Sequence, residues 1–75
     1  MIRVGDVVQF NENHKWIGAF GFVSEIKKIG KDVRYMVGVP QPQQGIAYIF
    51  VKESEKAIEH IGKALLIPAT GDDEN

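Results

Sequence analysis

Hydrophobic and polar residues along this chain change pattern about every eight to twelve positions, the spacing of short strands joined by turns. The alternation is clearest over residues 33–39, where every second side chain is apolar: Val33, Tyr35, Val37 and Val39. A second alternating run sets Ile46, Tyr48 and Phe50 against Ala47, Ile49 and Val51. A period of two predicts strands, so these runs are expected to be strands three and four of a hairpin.

Two further strands are predicted before this hairpin. The first covers residues 6–10, after the turn-forming pair Gly5-Asp6. The second covers residues 19–28 and is expected to place Phe20, Phe22 and Ile26 on one side and Gly21, Val23 and Glu25 on the other. Gly21 inside this strand indicates a bulge or a close backbone approach. Residues 11–18 between the two strands are predicted to form a loop.

The period changes after residue 52 and predicts a helix of about eight residues. Ser54 can cap its first turn, Ala57, Ile58 and Ile61 would share one face, and Gly62 is placed to end it. Residues 64–67 are predicted to be a fifth strand that Pro68 ends. We therefore expect an all-β, five-stranded, partly open barrel with one short helix between strands 4 and 5, because so few strands cannot cover a flat core.

The length and composition predict one small globular domain. Of 75 residues, 44% are hydrophobic and 25% are charged, as in an average soluble domain. The domain is assigned to residues 1–68, and residues 69–75 are expected to be an acidic disordered tail. No apolar run approaches the roughly 20 residues of a membrane helix and no secretory signal is recognised, so a cytoplasmic location without membrane contact is expected.

The predicted strand order and helix position resemble the SH3-like barrel superfamily. Residues 4–8 (Val-Gly-Asp-Val-Val), followed by Gly18, Gly21 and Val23, are similar to the KOW-type variant of that fold. The segment Leu66-Ile67-Pro68 is similar to the end of small bacterial and phage modules with this barrel. The resemblance implies a small binding module with an SH3-like barrel fold.

The chain offers little material for catalysis, a metal site or a cofactor. It has no cysteine, which excludes disulfides, thiolate zinc ligands and a cysteine nucleophile. His14 is expected to be solvated in the first loop, and His60 to lie near the helix C-terminus, where a positive charge is favourable. We therefore expect no enzyme, no small-molecule substrate and no cofactor.

Candidate binding residues are cations and aromatic rings near the predicted loops and hairpins: Lys15, Trp16, Lys27, Lys28, Lys31, Arg34, Tyr35 and Tyr48. Trp16 is either an exposed contact residue or a lid over one end of the barrel. The leading hypothesis is recognition of a protein partner through the Trp16 loop and the adjacent hairpin. The alternative is a KOW-like module that binds RNA or DNA through the basic hairpin. The simpler interpretation of the same cations is a solvated hairpin tip.

Two other features leave further alternatives open. Residues 40–45 (Pro-Gln-Pro-Gln-Gln-Gly) are expected to leave the sheet, either as a plain connection or as an extended polyproline II segment that docks on a partner. Ile46, Tyr48 and Phe50 could instead supply an oligomer surface, so the chain is expected to be a monomer or a weak homo-oligomer.

Overall fold

A computed structural model describes residues 1–63 of the chain. They form five strands: β1 (Asp6–Phe10), β2 (Phe20–Ile29), β3 (Asp32–Gln41), β4 (Gly45–Lys52) and β5 (Ile58–Lys63). All pairings are antiparallel and give one sheet in the order β4-β3-β2-β1-β5. Within residues 1–63 no ladder joins β4 to β5, so the sheet is not closed. The all-β prediction is confirmed.

The core lies on one face of the curled sheet. Side chains from four strands are almost fully enclosed there: Val8, Phe10, Val23, Val37 and Val51. Tyr35 and Val39 extend this cluster along β3, so the side of that strand on which the alternation placed its apolar residues faces the core. The core therefore consists mainly of valine side chains packed around Phe10 and Tyr35, and their burial supplies the hydrophobic free energy of the fold.

Strand β2 has an irregularity that the sequence pattern does not show. Its register against β3 shifts between Val23 and Glu25, so Ser24 is the extra residue of a bulge. Beyond the bulge, exposed Glu25 pairs with Met36 and half-buried Ile26 pairs with Tyr35. The predicted sides of Ile26 and Glu25 were therefore wrong, because one inserted residue moves every later side chain to the other face.

The bulge lies at Ser24, and Gly21 instead provides a close approach. A Cβ on Gly21 would lie 2.7 Å from Val37 Cγ1 and 2.8 Å from the carbonyl oxygen of Gly38. Both distances are shorter than real Cβ contacts. Only glycine allows β2 to pack this closely on β3, which confirms one of the two predicted roles for this residue.

The predicted eight-residue helix after β4 was wrong. Residues Glu53–Glu55 form one 3-10 turn, Lys56 takes a left-handed conformation with φ 50°, and β5 begins at Ile58. Residues 58–63 pair with β1, whose free edge supplies hydrogen bonds that an isolated short helix cannot match. The fifth strand therefore lies earlier in the chain than the predicted strand over residues 64–67. Those residues and the predicted acidic tail lie outside the described residues.

The hairpin between β3 and β4 is shorter at its tip than predicted. Pro40 and Gln41 stay in β3, opposite Ile46 and Gly45, so the turn itself comprises residues 42–44. The proline is tolerated because the ladder between β2 and β3 has already ended at Phe22 and Gly38. Residues 1–63 contain no helix long and apolar enough to cross a membrane.

Candidate functional site

An apolar groove lies where β2 and β3 separate. Their ladder ends at Phe22 and Gly38, while Phe20 stays paired with β1 and Pro40 stays paired with β4. The two halves of the sheet diverge from that point and leave a groove of about 970 Å³. Its lining includes Trp16, Ile17, Phe20, Phe22, Pro40 and Ile46, and none of the described residues that line it is charged.

The loop that carries Trp16 is held in place by backbone hydrogen bonds. Phe10 N–H donates to the Ala19 carbonyl at 2.9 Å, and Gly18 N–H donates to the Phe10 carbonyl at 2.8 Å. His14 is half-buried instead of solvated. Its Nδ1 accepts the Trp16 N–H at 3.0 Å, and its ring centroid lies 4.5 Å from that of Phe10. This histidine therefore positions the loop.

Trp16 lies between the two positions that the sequence left open, an exposed residue and a lid over the core. The side chain is half-buried and packs against the core, and it also lines the groove. The neighbouring Ile17 and Phe20 are 62% and 52% exposed. Trp16 thus supplies a fixed wall, and the two exposed side chains lie beside it, where a second molecule can reach them.

Two asparagines tie the start of the same loop to the turn before β5. The Asn11 side-chain amide donates to the Lys56 carbonyl at 2.9 Å and to Glu59 Oε2 at 3.2 Å. The Asn13 amide donates to the same carbonyl at 3.0 Å. Hydrogen bonds therefore anchor both ends of the chain segment that carries Trp16.

The predicted cations do not surround the groove. Lys27, Arg34 and Lys52 are cross-strand neighbours on the outer face of β2, β3 and β4. Lys28 follows on the opposite side of β2, Lys31 lies in the hairpin turn, and Lys15 is exposed in the first loop. Two cations of this row have a carboxylate nearby. Glu25 Oε2 lies 3.9 Å from Lys27 Nζ, and Asp32 Oδ2 lies 3.9 Å from Arg34 Nη2.

Two exposed aromatic rings share the outer face with this row of cations. Phe50 pairs with Met36 and Tyr48 pairs with Gly38, so both project from the same side of β4 as Lys52. Phe22 covers Gly38, because a Cβ there would lie 2.7 Å from the Phe22 ring. The outer face therefore grades from cations at one end to exposed apolar side chains at the other.

Tyr35 belongs to the core and offers no exposed ring. It is 6% exposed, and its hydroxyl donates to Glu53 Oε2 at 3.3 Å. Burial, followed by the negative charge and the hydrogen bond of Glu53, raises the pKa of Tyr35. The predicted site residues thus divide into Trp16 at the groove, Tyr48 on the outer face, which meets the groove at Phe22 and Ile46, and Tyr35 in the core.

His60 occupies an unpredicted position next to a buried carboxylate. It lies on β5, and its Nε2 is 3.3 Å from Asp6 Oδ2. Asp6 is 3% exposed and accepts the backbone N–H of Arg3 at 2.8 Å. The prediction of His60 at a helix C-terminus was wrong because the helix does not form. The buried carboxylate of Asp6 therefore has polar partners in Arg3 and His60, and it stabilises the turn before β1.

Sequence reasoning missed Ile17, Phe20 and Pro40 as groove residues. The alternation of residues 19–28 did place Phe20 opposite the inward residues, and this was the available signal. No group of three potential metal ligands exists among residues 1–63. No protein-family model, curated protein or solved structure matches this chain.

Proposed function

We propose that this protein is a small non-catalytic binding module that recognises a protein partner through the groove beside Trp16. The observation that carries the proposal is the uncharged groove of about 970 Å³ with exposed Ile17 and Phe20 at its side. Aromatic side chains are enriched where proteins bind one another, whereas charged residues are depleted from the centres of such contacts. A phosphate backbone would instead require cations around the groove.

The open five-stranded sheet supports an SH3-like assignment as part of this proposal. The strand order places β1 between β2 and β5, and a 3-10 turn separates β4 from β5. This arrangement agrees with the predicted resemblance to the SH3-like superfamily and its KOW-type variant. A cytoplasmic location is proposed with it.

Affinity capture with matched variants tests the protein-binding proposal. Ile17→Ser removes an exposed groove side chain, and Ile29→Ser removes an exposed isoleucine that does not line the groove. We expect partners retained by the wild type and by Ile29→Ser to be lost with Ile17→Ser, while circular dichroism shows all three folded. Titration of the purified partner should then shift the NMR signal of the Trp16 indole N–H. Equal retention by both variants would contradict the proposal.

Nucleic-acid binding is a second candidate because of one observation on the outer face. The cations Lys27, Arg34 and Lys52 align across three strands beside exposed Tyr48 and Phe50. Aromatic rings can stack on bases while cations contact phosphates. The candidate nucleic-acid site therefore differs from the predicted basic hairpin, because Lys28 lies on the other side of β2 and does not join these three cations.

A salt titration with single-stranded oligonucleotides separates this candidate from the first. If the outer face binds phosphates, Lys52→Ala should lower the slope of log affinity against log salt by about one. Lys28→Ala is the control, because it removes the same charge from the opposite side of β2. Absence of salt-dependent binding by the wild type, or equal slopes for the two variants, would reject the candidate.

A further inference from the structure

The two edges of the sheet differ in how they are protected against pairing with another strand. The β5 edge is six residues long and carries three polar or charged side chains: Glu59, His60 and Lys63. Its ladder with β1 also has an irregular register between Val7 and Val8. Charges and bulges are common devices against edge-to-edge association. The β5 edge is therefore protected.

The β4 edge has none of these devices over most of its length. It is eight residues long, contains no proline, and follows the register of β3 without a shift from Lys52 to Gly45. Its single charged residue is Lys52, at the last position. Among residues 1–63 only β3 pairs with β4, so the outer backbone edge of β4 has no strand partner there.

Apolar side chains accompany this unpaired edge. Ile46, Tyr48 and Phe50 are 45%, 54% and 61% exposed and stand at alternate positions on one side of the strand. A long, regular, apolar edge is a template for another strand. We propose that β4 pairs antiparallel with β4 of a second copy of this chain, about a twofold axis at Tyr48, to give one continuous ten-stranded sheet.

The register follows from the sequence of the strand. With Tyr48 opposite Tyr48, Ile46 of one copy lies opposite Phe50 of the other, so the exposed apolar residues meet one another. Lys52 then lies opposite Gln44, whose amide oxygen can accept a hydrogen bond. A parallel arrangement in the same register would set Lys52 beside Lys52. Charge therefore favours the antiparallel over the parallel pair, and in this register the apolar side of β4 is its own complement.

The exposed area sets the strength of this contact. Aromatic side chains have about 150–250 Å² of surface, so the three half-exposed residues offer about 300 Å² per copy. The total of about 600 Å² is below the roughly 1,200 Å² of a stable interface. We therefore expect a weak dimer that forms as concentration rises. The inference does not rest on the proposed function. Ile46 lines both the groove and the proposed contact, whereas Tyr48 does not line the groove, so variants of Tyr48 test the dimer separately.

Sedimentation equilibrium of the full chain with charge variants tests the dimer. The average mass of the wild type should rise from 8.4 kDa towards twice that value with concentration. Tyr48→Lys and Tyr48→Glu should each stay monomeric, because like charges would face each other across the axis. An equimolar mixture of the two should dimerise again. Ile61→Lys, on the β5 edge, should behave as the wild type.

A single cysteine gives a second readout should the charge variants fail to fold. The chain has no natural cysteine, so Tyr48→Cys should form a disulfide-linked dimer under mild oxidation, whereas Ile61→Cys should not. A wild type that stays monomeric at high micromolar concentration would overturn the proposal. Unchanged association of folded Tyr48→Lys, or equal cross-linking of the two cysteine variants, would also overturn it. The first result would leave an extended segment of another protein as the occupant of this edge.

Discussion

The two faces of strand β4 carry apolar side chains of unequal size, and the larger ones lie outside. Ala47, Ile49 and Val51 face inwards, whereas Ile46, Tyr48 and Phe50 are exposed. The inner face of a curled sheet has less room than the outer face, so it takes the smaller side chains at a high packing density. Hydrophobicity alone therefore does not identify the core here. The outer face has apolar area that the fold does not use, which is the property of a contact surface.

The same substitution should have very different effects on the two faces of the sheet. Phe10→Ala should lower the free energy of unfolding by about 3–5 kcal/mol, because it empties a fully enclosed site in the core. Phe50→Ala should change the free energy of unfolding of the monomer by about 0.5 kcal/mol or less. Urea denaturation at low protein concentration measures both. Similar losses for the two variants would show that the outer face also supports the fold.

Two strand glycines give a second matched pair, with a smaller expected effect. Gly21 and Gly62 both pair with β1, yet an added Cβ meets a backbone oxygen at 2.8 Å only in the case of Gly21. Gly21→Ala should cost about 1–3 kcal/mol through overpacking. Gly62→Ala should be neutral or stabilise by up to about 1 kcal/mol, because it restricts the unfolded chain. Thermal unfolding measures both effects. Equal shifts in the melting temperature of the two variants would contradict the close approach of β2 to β3 at Gly21.

The smallest effect concerns the hydroxyl of Tyr35 on the inner face. Burial and Glu53 raise the pKa of Tyr35 above its ordinary value of 10.0, so folding favours the protonated phenol. This stabilisation is fully present below pH 10 and is lost as the pH rises through the folded-state pKa. Tyr35→Phe should cost about 1 kcal/mol at neutral pH. Its stability should then fall less steeply than that of the wild type above pH 10. Parallel curves would contradict this account.

The sequence was most informative for strands β3 and β4, whose ladder has no shift in register. Residues 33–39 alternate and residues 46–51 form a short apolar run, and both are strands whose side chains divide between the two faces as predicted. The direction in which β4 faces could not be predicted, because both of its sides are apolar. The curvature of the whole sheet decides which side of β4 faces the core, and a local sequence pattern carries no information about that curvature.

The failures share a different cause, which is competition for partners distant in the chain. Residues 58–63 have an adequate helical pattern but gain more from the edge of β1. Ser24 forms a bulge without any distinctive local signal. The groove arises because β2 and β3 separate after Phe22 and Gly38, and only the three-dimensional pairing reveals which side chains line it. Trp16 and Tyr48 could be singled out from residue type, while Ile17 and Phe20 could not.

The triple variant Ile46→Thr/Tyr48→Thr/Phe50→Thr tests most directly whether the outer face serves contact and not stability. Threonine retains the preference for strands and removes most of the exposed apolar area. We predict that its unfolding free energy in urea, at a concentration where the wild type is monomeric, stays within about 1.5 kcal/mol of the wild type. A loss as large as that of Phe10→Ala would contradict the division of the sheet into a stabilising inner face and a contact-forming outer face.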